Sequence, residues 1–390
     1  MEHPLSSISP VVLFDTLPAA NGKLIGVATL NAEKTLNALS MEMVSLLSAQ
    51  LQAWDTDPAI AMVLLQAIGD KAFCAGGDLQ KLYATIREHQ ASEYRDDLLG
   101  NPHALDFFEH EYRLDYQIHT YRKPILCWGH GIVMGGGIGL MAGASHRVVT
   151  EKSRLAMPEI SIGLFPDVGG SWFLNRMPGK LGLFLGLTGA AINASDAKFV
   201  KLADYQLPHA SKATILAGIQ AQVWSDHAPE NQHLLSQILL EAEQASVHHE
   251  HGPLRRHLDL INQLCSGADL TLIAKQILEL ESDDAWLQKA IATFKKGSPT
   301  SAWLTYALQQ RCKHLSLAQV FRIELVAALA CTSGNEFAEG VRALIIDKDM
   351  QPQWLPATLA EISEDELSRR FFPTPWSAQE HPLRDLEIGI

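Results

Sequence analysis

Three glycine-bearing segments hold the residues best suited to chemistry: Lys71–Leu79 (KAFCAGGDL), His130–Leu140 (HGIVMGGGIGL) and Met157–Ser171 (MPEISIGLFPDVGGS). Each sets glycine beside apolar residues. Glycine has no Cβ, so a ligand can approach the backbone closely, and unpaired N–H groups at a helix start favour an oxygen bearing negative charge. One N–H from Ala75 and one from Gly136 therefore make a candidate oxyanion hole for a carbonyl oxygen that gains charge during reaction. One such donor typically stabilises a transition state by about 2.7 to 4 kcal/mol. The third segment adds two carboxylates, Glu159 and Asp167, among Met157, Ile160, Ile162, Leu164 and Phe165. Apolar surroundings disfavour the charged form, which raises the carboxyl pKa and makes a better base near neutral pH.

Strands and helices must bring these segments together. Lys23–Leu30 and Met62–Ile68 are aliphatic runs that read as strands, and Ser40–Asp55 between them reads as a helix. Ser40 is a good N-cap, and Met43, Leu46, Leu47, Leu51 and Trp54 recur at three- to four-residue steps on one face. Ile125–Trp128 predicts a further buried strand, Gly135–Gly139 the opening of a helix, and His146–Thr150 a return to extended structure. Repetition of this kind indicates a layered α/β core. From about Leu181 the strand signal disappears, and Ser195–Leu202, Asn231–Ala245, Ala285–Phe294 and Leu317–Ala330 read as amphipathic helices. The polar stretch Ser246–His257 between them reads as a loop or hinge.

The chain has 390 residues, 47% of them hydrophobic, enough for a large core in two domains or in one with an appendage. Its 31 Lys and Arg against 44 Asp and Glu give a formal charge of −13, which repels nucleic acid and anionic membrane surfaces at long range. An anionic ligand must then be met locally, in a pocket. Cys74, Cys127, Cys265, Cys312 and Cys331 are scattered with no CxxC pair, which fits a reducing compartment rather than a disulfide framework or a zinc knuckle. The N-terminus MEHPLSSISPVVLF lacks the features of a secretory signal or an arginine-rich presequence, and no apolar run reaches membrane-spanning length. These features read as a cytoplasmic protein.

The sequence resembles the crotonase (enoyl-CoA hydratase/isomerase) superfamily and, within it, the 3-hydroxyisobutyryl-CoA hydrolases. The resemblance rests on six ordered motifs: NAEKTLNAL from Asn31, FCAGGD around Cys74, FFEHEYRL from Phe107, GHGIVMGGGIGL, AMPEISIGLFPDVGGS, and EFAEGVRALIIDKD from Glu336. It implies an α/β crotonase-like repeated ββα core with a mainly helical C-terminal region. The expected division is a site-bearing core over 1–205 and a helical region over 206–390. It also implies that Ala75 and Gly136 supply the oxyanion amides, in agreement with the glycine reading. Coenzyme A is expected near Lys34 to Asn37 and Gly76 to Asp78, with Lys34 a phosphate partner. Leu36, Gly76, Gly77 and Gly135 complete the substrate-binding set, and Glu111 lines the acyl pocket.

The carboxylates decide the subfamily. Hydratases of this superfamily use two glutamates, one after the GGG turn and one in the Pro-Glu segment. Here the first position is Gly139, Glu159 keeps the second, and Asp167 stands where hydratases carry glycine. Adding water across an alkene needs an acid and a base placed on that bond, so Gly139 breaks the pair. Hydrolysis needs instead a carboxylate that attacks the thioester carbon or one that deprotonates water. Glu159 takes that role, with Asp167 orienting water or a substrate hydroxyl. The expected reaction is 3-hydroxyisobutyryl-CoA to 3-hydroxyisobutyrate and free CoA, a step of valine breakdown, with no metal and no cofactor besides the substrate's own CoA. A homo-oligomer is open. The rival readings are an enoyl-CoA hydratase or isomerase, and a non-catalytic subunit of a larger assembly.

Plainer roles compete for several residues. Asp78 reads as a helix N-cap, His130 as a local hydrogen-bonding group, and Cys74 as a packing residue. From its local sequence alone, Glu159 reads equally well as a helix cap or an Arg154 partner. His248, His249 and His251 read as a solvated loop rather than a metal site. Gly137 to Ala142 formally matches GxGxxA, but no strand runs straight into its first glycine, and no GxSxG elbow occurs anywhere.

Overall fold

The computed structural model describes residues 9–246 and 251–387. Nine strands follow in chain order: β1 (Val12–Pro18), β2 (Leu24–Leu30), β3 (Ile60–Ala67), β4 (Ala72–Cys74), β5 (Ile125–Gly129), β6 (Ile132–Met134), β7 (His146–Val149), β8 (Arg154–Ala156) and β9 (Tyr205–Gln206). They form two sheets. The larger has the order β1-β2-β3-β5-β7-β9, antiparallel only between β1 and β2, and the smaller is the parallel trio β4-β6-β8. A strand of the large sheet is thus followed three times by a short strand of the small one. Helices α1 (Met41–Thr56), α2 (Leu79–Gln90), α3 (Pro102–His119) and α4 (Gly136–Ala142) connect these units. The repeat is the expected ββα pattern.

The inner strands β3 and β5 of the large sheet are buried on both faces, which is why they read as continuous apolar runs, whereas the edge strand β1 is largely exposed. Along β3, Val63 and Leu65 pack into the main core with Leu47 and Leu51 of α1. Met62 and Leu64 point the other way, into a second cluster with Trp128, Trp224, Leu235 and Leu239. The cover on that face comes from the helix Ala228–Gln244. Ser40 caps α1 by accepting the Met43 N–H at 3.2 Å, and Met43, Leu47, Leu51 and Trp54 are buried while Leu46 is half-exposed.

The helices expected at Ala285–Phe294 and Leu317–Ala330 fall within Ala285–Lys296 and Leu317–Ser333, and Asn231–Ala245 matches Ala228–Gln244 except at its last residue. Ser195–Leu202 is corrected to Ala194–Phe199, the chain leaving the helix before Lys201 takes a positive φ of 64°. The Ser246–His257 loop is corrected in part, because Pro253–Arg256 forms a helical turn with proline at its start, where the missing N–H is no loss. His248 and His249 lie outside the described residues. Among those described, no single helix is long and apolar enough to cross a membrane.

The connection after β2 bears on the site. A single 3-10 turn, Glu33–Thr35, leads into Leu36 and Asn37, both with positive φ (56° and 54°). Asparagine tolerates this conformation because its short side chain bonds locally. Asn37 is 1% exposed; its Oδ1 accepts the Ala32 N–H at 2.9 Å, and its Nδ2 donates to Ala72 O at 3.0 Å and Ile68 O at 3.2 Å. Asn37→Ala strands these buried groups and is expected to destabilise the fold by about 1–3 kcal/mol. Chemical denaturation checks this, and an unchanged midpoint would show that the turn stands without the side chain.

Candidate active site

The three short strands of the small sheet run parallel, so their carboxyl ends lie together, where ligands of open α/β sheets bind. Beyond β4 come Ala75, Gly76 and Gly77; beyond β6, Gly135 and Gly136; beyond β8, Pro158 and Glu159. These residues line one cavity of about 70 Å³, together with Glu111, Asp167 and an apolar wall that includes Leu82, Phe107, Phe108, Ile162, Leu164 and Phe337. The volume suits a small group. A larger cleft of about 430 Å³ lies behind Pro158 near Trp286 and Lys289, but no Asp, Glu, His or Cys lines it.

Glycine at the convergence is dictated by contact. A Cβ on Gly136 would overlap Glu111 Oε1, and one on Gly135 would sit 3.0 Å from Glu159 Oε1, in a residue whose φ is already +50°. Gly136 is the first residue of α4, and its N–H meets no backbone acceptor among the described residues. That amide stands ready for a ligand oxygen.

The site is a cluster of acids without cations. Glu111, Glu159 and Asp167 are 3%, 4% and 4% exposed, and Asp115 and Glu324 are wholly buried behind them. Among the described residues no Lys, Arg or His forms an ion pair with any of the five. Burial raises the Glu159 carboxyl well above the ordinary range, and the neighbouring Asp167 charge raises it further. Glu111 is raised by the same two causes in the same order. Asp167 is pushed up by burial to about 7, against the opposing effect of Tyr112, whose O–H donates to Asp167 Oδ2 at 2.8 Å. Glu159 Oε2 is buried with no hydrogen-bond partner among the described residues. An apolar pocket therefore holds proton acceptors of unusually high affinity, and it can remove a proton or attack a carbon.

Asp167 is presented by a strained turn. Val168 has φ +51°, an outlier for a β-branched residue that costs about 1–3 kcal/mol. Gly169 (φ +84°) follows, and then the short helix α5 (Gly170–Phe173).

Most of the residues singled out from the sequence meet here. Glu159, Asp167, Gly136, Gly135, Gly76, Gly77, Glu111 and Ala75 all line the cavity. Lys34 and Leu36 do not; Lys34 is exposed on the 3-10 turn. The expectation of two free oxyanion amides is corrected at Ala75, whose N–H donates to Leu36 O at 3.1 Å. The left-handed turn at Leu36 and Asn37 brings that carbonyl to the amide, so a ligand oxygen must share or displace it. Asp78 accepts the Lys81 N–H at 3.2 Å as the N-cap of α2, and His130 Nε2 bonds Gly69 O at 2.7 Å. Cys74 is buried, its thiol pushed up to about 12 by burial. Glu159 makes no ion pair with Arg154.

Sequence reading missed Tyr112, Asp115 and Glu324. Asp115 follows Glu111 by four residues on α3, a helical spacing that places both acids on one face. A Cβ on Gly139 would lie 2.7 Å from Asp115 Oδ2 and 2.8 Å from Val168 Cβ, so position 139 has no room for a side chain.

The enoyl-CoA hydratase/isomerase family model matches residues 25–372. A Danio rerio protein named 3-hydroxyisobutyryl-CoA hydrolase, mitochondrial, is 37% identical over 373 residues, covering 95% of this chain and 91% of its own. The Homo sapiens protein of that name is 35% identical over 347 residues, covering 89% and 86%. A carnitinyl-CoA dehydratase structure from Mycobacterium thermoresistibile aligns with TM-score 0.78 at 30% identity over 94% of this chain and 98% of that one. An enoyl-CoA hydratase structure from Rhodobacter sphaeroides 2.4.1 gives 0.77 at 30% identity over 93% and 97%. The cytoplasmic expectation is corrected by these relatives, since the vertebrate proteins compared are all mitochondrial by name. The N-terminal residues on which it rested fall largely outside those described.

Proposed function

This chain belongs to the crotonase (enoyl-CoA hydratase/isomerase) superfamily, whose members act on acyl-CoA thioesters, and from that premise we propose that it hydrolyses a short branched or hydroxylated acyl-CoA. The favoured substrate is 3-hydroxyisobutyryl-CoA, the name its relatives carry. The observation that carries the reading is the pairing of Glu159 and Asp167 in one small apolar pocket while Gly139, walled by Asp115 and Val168, has no space for an α4 acid. Two solved relatives bear hydratase and dehydratase names, and that closed position argues against their chemistry here.

In the proposed reaction the thioester oxygen sits on the Gly136 N–H, joined by the Ala75 N–H once Leu36 O gives way. Charge then develops where a donor already points. Ionised Glu159 attacks the acyl carbon to form a mixed anhydride that water then opens, or it takes a proton from water as that water attacks. On either path the C–S bond breaks and a proton ends on the departing thiolate; water's oxygen ends on the acyl carbon by direct attack, and on the acyl carbon or the Glu159 carboxyl carbon when water opens the anhydride. Asp167, steadied by Tyr112, orients the water or the substrate hydroxyl. Lys34, exposed outside the cavity, is the proposed partner for the CoA phosphates.

The pH dependence follows from the direction of the shifts. Glu159 must be ionised to act, so kcat/KM falls as pH is lowered through its raised pKa. The acid limb is expected well above the ordinary glutamate value of about 4.3, as a property of the coupled Glu159 and Asp167 pair. A limb centred near 4 would contradict a desolvated base. Substrate choice is tested by a panel of acyl-CoA esters followed by thiol release. Fastest release from 3-hydroxyisobutyryl-CoA supports the reading, whereas loss of crotonyl-CoA absorbance without thiol favours hydration. No turnover together with recovery in a large complex favours a non-catalytic subunit.

A further inference from the structure

Asp167 is held from the C-terminal helical region by an acid that the cleavage chemistry does not use. Glu324, fully buried on the helix Leu317–Ser333, accepts the Gly169 N–H at 2.8 Å on Oε2 and the Ser171 N–H at 2.9 Å on Oε1. Both bonds fall just after Val168 (φ +51°), one on Gly169 (φ +84°) and one on Ser171 at the start of α5, and they hold the far side of the turn that Asp167 O closes by accepting the Gly170 N–H at 2.6 Å. Burial pushes the Glu324 carboxyl up to about 8, and the two backbone donors, which favour its charged form, oppose that rise only in part. One turn earlier on the same helix, the Phe321 ring lies 5.5 Å from that of Tyr112, whose O–H donates to Asp167 Oδ2. A single helix therefore fixes Asp167 twice, its backbone through Glu324 and its side chain through Phe321 and Tyr112.

We propose that Glu324 is a positioning residue for Asp167, its paired backbone hydrogen bonds holding the left-handed Val168 turn that aims the Asp167 carboxylate into the acyl pocket. The inference rests on the thioester-cleavage reading above. It differs from a merely structural role in one respect: the bonds are needed because the turn is strained, so relief of the strain should make them dispensable.

Glu324→Gln turns an amide NH2 toward one of the two backbone N–H groups, replacing a bond by a donor facing a donor. Thiol release is expected to show kcat lowered roughly ten- to a hundredfold, the effect of a misplaced catalytic group. KM should change less than about threefold, since uniform binding is untouched. Val168→Gly, which adopts positive φ freely, should then restore kcat of Glu324→Gln to within about fivefold of the Val168→Gly single variant. The double variant also keeps the test open should Glu324→Gln alone fail to fold, because the relaxed turn no longer depends on the clamp. An unchanged kcat in Glu324→Gln, or a double variant that stays more than about tenfold below Val168→Gly, overturns the proposal. Failure of the functional reading looks different: wild type itself then releases no thiol, and the same variants are compared on whichever acyl-CoA reaction it does perform.

Discussion

Glu159→Gln is expected to lower kcat for thiol release by roughly 10²- to 10⁴-fold, the contribution of a positioned base or nucleophile. The substitution keeps size and shape while removing the group that must accept a proton or attack. Because Glu159 Oε2 is buried without a hydrogen-bond partner among the described residues and no cation pairs with it, the charge is unfavourable to the folded state. Removing it should leave the melting temperature equal or higher. A fall in activity combined with unchanged or improved stability is the signature of a group held at a functional site against the preference of the fold. If activity fell only because the protein unfolded, the melting curve would show it, and a catalytic role would lose its support.

Asp167→Asn should produce the second-largest effect, roughly ten- to a hundredfold on kcat. That is the size of one hydrogen bond to a charged group, about 1.5–3 kcal/mol. Asparagine can still accept the Tyr112 O–H through its carbonyl oxygen, so the local geometry is kept and the lost charge is isolated. The change also removes the repulsion that helps raise Glu159, so the acid limb of the pH profile should move down. Combined with Glu159→Gln, it should add little, because the two groups act on one step. A fully multiplicative double variant would mean that they serve separate steps.

The architecture was legible where local signals are strong. The inner strands of the large sheet announce themselves as apolar runs because both faces are covered, and Ser40 marks the start of α1 by its capping chemistry. The small sheet was not legible, since β4, β6 and β8 are three residues each, too short for any period to show. Yet those strands bring the three glycine segments to one cavity. The segments themselves were recognisable by composition, because close backbone approach demands glycine whatever the topology. Whether an amide is free was not recognisable: the bond from Ala75 to Leu36 O depends on a left-handed turn forty residues away in sequence by rough count, set by Asn37. Glu324 was hidden for another reason. It is the lone acid on a helix whose buried residues are otherwise apolar but for Thr332 near its end, a signal that marks a buried charge without naming its partner.

Hydrolysis in ¹⁸O-labelled water tests the central claim most directly. With 3-hydroxyisobutyryl-CoA as substrate, free CoA is expected in equal amount to product acid and, over many turnovers, one labelled oxygen in each new carboxyl group and none on the acyl chain. Label on the chain of an intact thioester, or no CoA released at all, would contradict it.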